Sequence, residues 1–383
     1  VAQTVSVTIG ERSPTSHGAR RDVPRIELTT DAAGFLPRLG IGGRSRDYQA
    51  TDAERGWLAK LRPSLLMLEA EAFDASAFDS YAEAFKATGA RAAIMLRPTT
   101  ETFAALRDRL IGAGVTTPEL ALVTFDPAMV ESARGIFPGS RIGAGTDAFF
   151  AEFNRNPPPP ADFVFWTVCP TVHATDDASV METLSVLADQ AATARARQPG
   201  AALWCGPVTL RMRFNPNATA PAEEEANGEL PADVDARHRG LFAAAFTLGQ
   251  IAAWAEAGLE TLVLYAPFGV RGVIRAGAQG AVYPAYHVLA GLSAQSGGPL
   301  ARVRNEAPER VIALATTDAL WLANRTADGV TVEVPGASAR LLDSDGFVDA
   351  TRRPEGFWER DLRPVTGGRL QLPPYAVARL PLG

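Results

Sequence analysis

The densest run of groups able to handle protons and sugar hydroxyls lies between Gly143 and Pro160. There Asp147, Glu152, Asn154, Arg155 and Asn156 are set among three phenylalanines and closed by four consecutive prolines. The run follows the short strand-like Arg141-Ile142 and precedes an apolar stretch, Phe163–Val168. Carboxylate, amide and guanidinium groups interleaved with aromatic rings just past a strand are the pattern by which α/β enzymes bind sugars and move protons. The plainer alternative is a loop in which Asp147 caps a helix and Arg155 sits on the surface. Further along, Cys169-Pro-Thr-Val-His-Ala-Thr-Asp-Asp177 places His173 just past the next strand end. A lone histidine is more often structural or exposed; here its position gives a catalytic or substrate-binding role equal weight. Asp176 or Asp177 reads as a helix cap. Thr209 to Ala236 forms a long loop that opens with Arg211, Arg213, Asn215 and Asn217 and continues into an acidic stretch that includes Glu223, Glu229, Asp233 and Asp235. A loop of this length is functional or mobile. Its start, 209–219, reads as a site wall and its acidic middle as solvated surface.

These groups need a scaffold, and the rest of the chain supplies a repeating one. Short apolar runs at Arg38–Ile41, Ser64–Leu68, Arg91–Leu96, Glu119–Phe125, Ser140–Gly145, Phe163–Val168, Ala201–Cys205 and Thr261–Tyr265 alternate with helical stretches. One of these, 76–88, spaces Phe78, Tyr81, Ala82 and Phe85 for a single buried face. Strands alternating with helices must run parallel, and eight such units make a (β/α)8 barrel. An open doubly wound sheet would bring a Gly-rich phosphate loop, and neither Gly40-Ile-Gly-Gly nor Gly143-Ala-Gly has the third glycine at the required spacing. From Ala301 onward, short strand-like runs separated by Gly, Asp and Pro turns predict a small all-β sandwich module. The expected organisation is therefore 1–30 as strands joining the β module (Val1–Ile9 and Arg25–Thr29), 36–298 as the barrel, and 301–383 as the C-terminal β-sandwich.

A barrel of this kind carries its chemistry at the C-terminal ends of its strands. That rule adds Glu69, Glu71, Arg97, Asp126, Tyr265 and Arg271 to the groups already named. Glu152 with a second carboxylate would suit acid–base work or a glycosidase pair, and Glu69, Glu71 and Asp147 all remain open as the partner. No His-Glu-x-x-His, no Cys-x-x-Cys and no Gly-x-Ser-x-Gly elbow occurs, so neither a metal, another cofactor nor a serine nucleophile is expected. A net charge of −6 without a basic cluster disfavours nucleic acid as a partner. Lys60 and Lys86 are the only lysines. No run approaches the length of a membrane span. The two cysteines, Cys169 and Cys205, are too few for a disulfide framework and read as buried thiols. The N-terminal run alternates like a strand rather than a signal peptide and lacks an initiator Met, as in the processed or truncated form of a longer, cytoplasmic protein. Nothing in the sequence specifies an oligomeric state.

Four segments in order resemble the D-apionate lactonase family: Gly145-Thr-Asp-Ala-Phe-Phe-Ala-Glu-Phe-Asn-Arg-Asn156, Pro170-Thr-Val-His-Ala-Thr-Asp-Asp-Ala-Ser179, Gly206-Pro-Val-Thr-Leu-Arg-Met-Arg-Phe-Asn-Pro-Asn-Ala-Thr219 and Val282-Tyr-Pro-Ala-Tyr-His287. They cover the second half of the barrel. The resemblance implies a glycoside-hydrolase-like barrel with a β-sandwich, acting on a sugar lactone in bacterial apiose catabolism. In the family pattern an acidic residue follows the tyrosine after the last strand; here that position is Ala266.

The expectation is thus a carbohydrate-handling protein with a small-molecule ligand. As a lactone hydrolase it would use Glu152 as general base, with His173 and Arg211 or Arg213 polarising the carbonyl and holding the oxyanion. Glu69, Asn154, Arg155, Asn215, Tyr265 and Arg271 would contact the sugar. A glycosidase-like enzyme on a plant-derived sugar would instead need two facing carboxylates. A carbohydrate-binding relative without catalysis is the third reading.

Overall fold

In the computed structural model, residues 23–70, 75–213, 216–217, 230–277 and 281–382 are described. An N-terminal strand β1 (Ile26–Phe35) leads into eight strands: β2 (Arg38–Arg44), β3 (Leu65–Ala70), β4 (Arg91–Leu96), β5 (Glu119–Val123), β6 (Ile142–Phe149), β7 (Phe163–Thr167), β8 (Ala202–Val208) and β9 (Thr261–Leu264). β2 to β9 close into a parallel barrel, with Arg38, Leu39 and Gly40 of β2 paired to Thr261, Leu262 and Val263 of β9. The helices between them start where local chemistry dictates. Thr51 and Glu54 form a reciprocal capping box before Asp52–Leu61, and Asp126 caps Pro127–Ile136 with proline in its first turn. The stretch 177–197, which reads as one helix, is broken: Asp177–Glu182 and Leu187–Arg197 are joined by a 3-10 turn, Thr183–Val186. The run Val1–Ile9 lies outside the described residues.

Inside the barrel, Leu65, Met67, Met95, Phe163, Phe165 and Trp204 fill the space between facing strands. Phe163 and Trp204 stack with ring centroids 3.8 Å apart. This filling sets the residue type next door. A Cβ on Gly143 would come within 2.1 Å of the Phe163 ring, and one on Gly145 within 2.0 Å of the Phe165 carbonyl oxygen. The two glycines of the Gly143-Ala-Gly145 motif are therefore there to admit large rings, not phosphate.

The N-terminal mouth is plugged by charge. Arg38 reaches Glu119 at 3.2 Å, Glu260 at 3.1 Å and Thr261 at 3.0 Å. Arg141 reaches Glu119 at 3.2 Å and Glu260 at 2.7 Å. Trp204 Nε1 donates to Glu260 at 3.0 Å, tying the plug to the packed interior.

After the barrel, a seven-stranded sheet runs in the order Ile26–Phe35, Pro299–Asn305, Val311–Ala315, Ala319–Asn324, Val377–Pro381, Ser338–Leu342, Arg363–Pro364, beside a pair formed by Val330–Glu333 and Arg369–Leu372. The apolar helix Leu241–Glu256 lies against this sheet, and one continuous core includes Trp254, Ile312 and Trp321. Both cysteines are free thiols, Cys205 buried and Cys169 half-buried.

His287 sits at the junction between barrel and sheet module. Its Nε2 is 2.9 Å from the Ala350 carbonyl oxygen, its ring is 4.4 Å from Phe357, and its own carbonyl accepts from Trp358 Nε1 at 2.8 Å. Burial lowers its pKa to about 4, against the hydrogen bond from its ring to Ala350. The neutral ring is thus the form the fold holds. Above pH ~6.5 both folded and unfolded chains carry it neutral and this part of the stability is complete. Between there and about 4 the unfolded chain binds a proton that the native chain refuses, so stability falls by roughly 1.4 kcal/mol per pH unit. Urea denaturation at pH ~7 and ~4.5 is expected to show a loss of roughly 3 kcal/mol, much of it removed by His287→Gln.

Candidate active site

The C-terminal ends of β2, β3, β8 and β9 bound a cleft on one side of the barrel mouth. Beyond Arg44 the chain turns through a 3-10 segment, Ser45–Tyr48, held down by the Tyr48 hydroxyl donating to the Met67 carbonyl at 2.7 Å. This turn brings Asp47 into the cleft, where its carboxylate accepts the Arg44 amide at 3.0 Å. Burial raises its pKa, opposed by that amide and by the Arg271, Arg46 and Arg44 cations. The position of Gly43 shows how close the walls are: a Cβ there would lie 3.1 Å from both Asp47 Oδ2 and the Ala266 side chain. The Asp47 carboxylate therefore faces the position where Ala266 stands.

From β3, Glu69 ion-pairs with Arg213, and both are nearly buried. Burial, reinforced by the Arg44 cation, pulls the Arg213 guanidinium down to about 9, which leaves it charged at neutral pH. One of its nitrogens, Nη1, is buried without a hydrogen-bond partner among the described residues. A buried cationic donor left unpaired is costly, and an acceptor oxygen on a ligand would satisfy it.

The end of the long loop returns to the site as Asp233-Val-Asp235. Asp233 takes a two-pronged contact from Arg271, Nε at 2.8 Å and Nη2 at 2.6 Å. Burial pushes the Asp233 carboxyl up, but Arg271 outweighs it and holds the group below the usual range. Asp235 likewise holds Arg237, which also reaches Asp177 at 2.8 Å; Tyr375 of the sheet module donates to the same Asp177 at 2.9 Å. Asp233 and Asp235, at the loop's end, line the cleft, each beside a half-buried guanidinium that it neutralises; the acidic middle of the loop, 218–229, lies outside the described residues.

Asp235 also accepts the Arg237 amide and so caps a short 3-10 turn, Ala236–Arg239, which presents His238 to the cleft. His238 Nε2 is 2.7 Å from the Gly272 carbonyl oxygen. A carbonyl can only accept, so Nε2 carries the proton and Nδ1 the lone pair. Nδ1 makes no hydrogen bond to a described residue. Burial lowers the pKa of the ring, which keeps it neutral.

Of the residues singled out from sequence, Glu69, Arg211, Arg213, Tyr265 and Arg271 line this one cleft. Tyr265 does so differently from expectation. Its backbone is left-handed at φ 56°, its hydroxyl is buried 3.0 Å from Thr247 Oγ1, and its ring packs edge-on against His238 at 4.7 Å. Glu152, Asn154, Arg155 and His173 do not line the cleft. The six-residue helix Phe150–Arg155 places Glu152 one turn from Arg155, and the two pair with each other; Asn154 and His173 are exposed. Asp147 is bound by Arg97 at 2.8 Å, and Asp176 caps the helix Asp177–Glu182. Asn215 and Glu71 lie outside the described residues.

Asp47 and His238, with the flanking Arg44 and Arg46, line the cleft without having been singled out from sequence. His238 falls inside a stretch that reads as the start of a helix, and Asp47 lies beyond a strand whose end reads three residues too early. The one available signal was rarity: the chain has 4 histidines, and this one follows directly on the acidic loop. Among the described residues, no group of three or more His, Cys, Asp or Glu side chains is arranged to hold a metal ion, and no helix is long and apolar enough to cross a membrane.

Comparison with known proteins follows this geometry. The model of the D-apionate lactonase TIM barrel domain matches residues 39–297, and that of the D-apionate lactonase C-terminal immunoglobulin-like domain matches 308–380. A curated D-apionate lactonase from Brucella anthropi is 27% identical over 374 residues, covering 89% of this chain; the chain spans 61% of that relative's length. Among solved structures, AbfB, a family 51 α-L-arabinofuranosidase from Bifidobacterium longum, superposes with a TM-score of 0.60 at 13% identity, over 94% of this chain and 99% of the other. A 4-O-α-L-rhamnosyl-β-D-glucuronidase from Fusarium oxysporum gives 0.56 at 11% identity, over 94% and 100%. At these identities the likeness is one of fold.

Proposed function

The chain belongs to the D-apionate lactonase family, and from that premise we propose that its cleft hydrolyses a sugar lactone, D-apionolactone to D-apionate, in bacterial apiose catabolism in the cytoplasm. The observation that carries the assignment is His238, neutral and fixed in one tautomer by the Gly272 carbonyl, in the same cleft as a guanidinium with a nitrogen to spare.

His238 Nδ1 accepts a proton from water as the water oxygen attacks the lactone carbonyl carbon. The carbonyl π electrons move onto oxygen, and Arg213 Nη1 donates to that oxyanion; Glu69 keeps the guanidinium in place. Collapse re-forms the carbonyl and breaks the ring C–O bond, and the ring oxygen leaves with the proton held by His238. The product is a hydroxy acid, and the base is regenerated. Asp233 and Asp235 orient the walls through Arg271 and Arg237, and Asp47 and Arg211 are placed to contact ring hydroxyls. The free space in the cleft is about 40 Å³, room for a water molecule. Seating a sugar ring therefore requires rim side chains such as the half-exposed Arg46 to swing outward.

A lactone needs one base and one oxyanion donor, whereas a glycosidase needs a protonated carboxyl beside an ionised one. Of the cleft carboxylates, Asp233 and Asp235 are held ionised by arginine, and Asp47, whose pKa burial raises, is the group a glycosidase would need as its acid. What favours the lactone is the neutral His238 in the same cleft as the Arg213 donor. The test is turnover of D-apionolactone and other aldonolactones against nitrophenyl glycosides. Lactones are expected to be consumed and glycosides left intact. Arg213→Gln is expected to lower kcat by about 10²-fold through loss of the oxyanion contact, whereas Glu152→Gln is expected to leave kcat/KM within about threefold, because its carboxylate stands outside the cleft. Glycoside turnover, or an Arg213→Gln enzyme of full activity, would refute the assignment.

A further inference from the structure

Behind the segment that anchors His238 lies a second recess, of about 500 Å³, open to solvent and shared between the barrel and the sheet module. Three arginines line it from three different elements. Arg239 comes from the end of the 3-10 turn, Arg275 from just beyond the strand Gly272–Ile274, and Arg352 from the end of the helix Phe347–Arg352. None of the three forms an ion pair or a side-chain hydrogen bond with a described residue, and Arg239 Nε is buried without a partner. Among the described residues, no acidic side chain lines the recess. This contrasts with the arginines around it: Arg237 and Arg271 are held by Asp235 and Asp233, and Arg340, Arg353 and Arg360 all converge on Asp349. The neighbouring cations are neutralised, whereas these three have no counter-charge among the described residues around the hollow. Apart from Thr351, the other described side chains of the lining are aliphatic or aromatic, Val282, Tyr283, Phe347 and Val348 among them.

We infer that this recess binds a small organic phosphate ester, its dianionic head held by the three guanidinium groups and its organic body against the aromatic and aliphatic wall. A dianion offering several acceptor oxygens matches forked donors that line one recess, and the volume falls within the range of small-molecule sites. Both halves of the site are braced independently of any ligand: the Val282 amide donates to the Thr351 carbonyl at 3.1 Å, and the Tyr283 amide to the Val273 carbonyl at 2.9 Å. The site is separate from the hydrolytic cleft and does not depend on the lactonase assignment.

The test is isothermal titration of the full chain with phenyl phosphate, inorganic phosphate and malonate as probes. Phenyl phosphate is expected to bind most tightly, because it alone supplies both the dianion and the ring. Arg239→Gln and Arg352→Glu are each expected to weaken it by about tenfold or more, and Arg213→Gln, in the cleft, to leave it unchanged. Arg352 is exposed, so the Arg352→Glu protein keeps its melting temperature and reads the site even if Arg239→Gln does not fold. Affinity for phenyl phosphate that survives both recess substitutions, or that is lost in Arg213→Gln, would overturn the assignment. So would the absence of binding at millimolar probe, or a preference for malonate.

Discussion

Replacing His238 with asparagine is expected to lower kcat/KM for lactone hydrolysis by about 10² to 10⁴-fold while leaving the fold intact. The argument rests on what asparagine keeps and what it loses. Its side-chain amide can still donate to the Gly272 carbonyl, as Nε2 does now at 2.7 Å, so the segment behind the cleft retains its anchor. It has no nitrogen lone pair able to take a proton from water, so the base is gone. Alanine would confound the two effects, leaving a buried carbonyl unpaired and a hole beside the Tyr265 ring. The kinetic reading is specific. A lost base lowers kcat and kcat/KM together, whereas a merely misplaced wall raises KM. Unchanged melting together with activity within about threefold of the parent would remove His238 from the mechanism.

The second large effect is on stability, at the opposite end of the barrel. Glu119 has a side chain only 2% exposed and neutralises Arg38 and Arg141 at once. Removing one member of a buried charge network leaves its partners desolvated without compensation, typically about 3–5 kcal/mol. Glu260 still touches both arginines and is 38% exposed, so Glu119→Ala is expected near the low end, about 3 kcal/mol by urea denaturation. Glu119→Gln is expected to recover part of this, since one amide oxygen still accepts. Glu260→Ala is expected to cost clearly less, because water reaches that carboxylate. A Glu119→Ala protein as stable as its parent would mean that the plug is solvated rather than buried.

The barrel was legible because its signal is repetitive: each strand is a short aliphatic run, buried on both faces, and the helices between carry one apolar side. The rule that chemistry sits past strand ends then selected Glu69, Arg211, Arg213, Tyr265 and Arg271 without any motif. It could not see which way a side chain turns once the strand is left. Glu152 follows β6 as expected, yet a single helical turn sets it against Arg155. Tyr265 reaches the right strand end and then buries its hydroxyl on Thr247. His238 belongs to no strand end at all. It arrives from the far side of a long loop, pinned by Asp235 and Gly272. Such placement depends on contacts distant in sequence, which periodicity does not record. The resemblance to a known family was visible through short ordered segments, although of the four only the one from Gly206 to Thr219 contributes to the cleft lining, and those around Glu152, His173 and His287 do not.

The most direct test of the mechanism is the pH dependence of kcat/KM on D-apionolactone, measured from about pH 4 to 9 and corrected for uncatalysed hydrolysis. Burial lowers the pKa of His238 from its ordinary value of 6.5, so its basic form persists into mildly acidic solution. The expected profile is flat through neutrality, with a single-proton acid limb whose midpoint falls below 6.5, and that limb is lost from the residual activity of His238→Asn. An acid limb that is unaltered in His238→Asn, or no lactone turnover at any pH, would contradict the account.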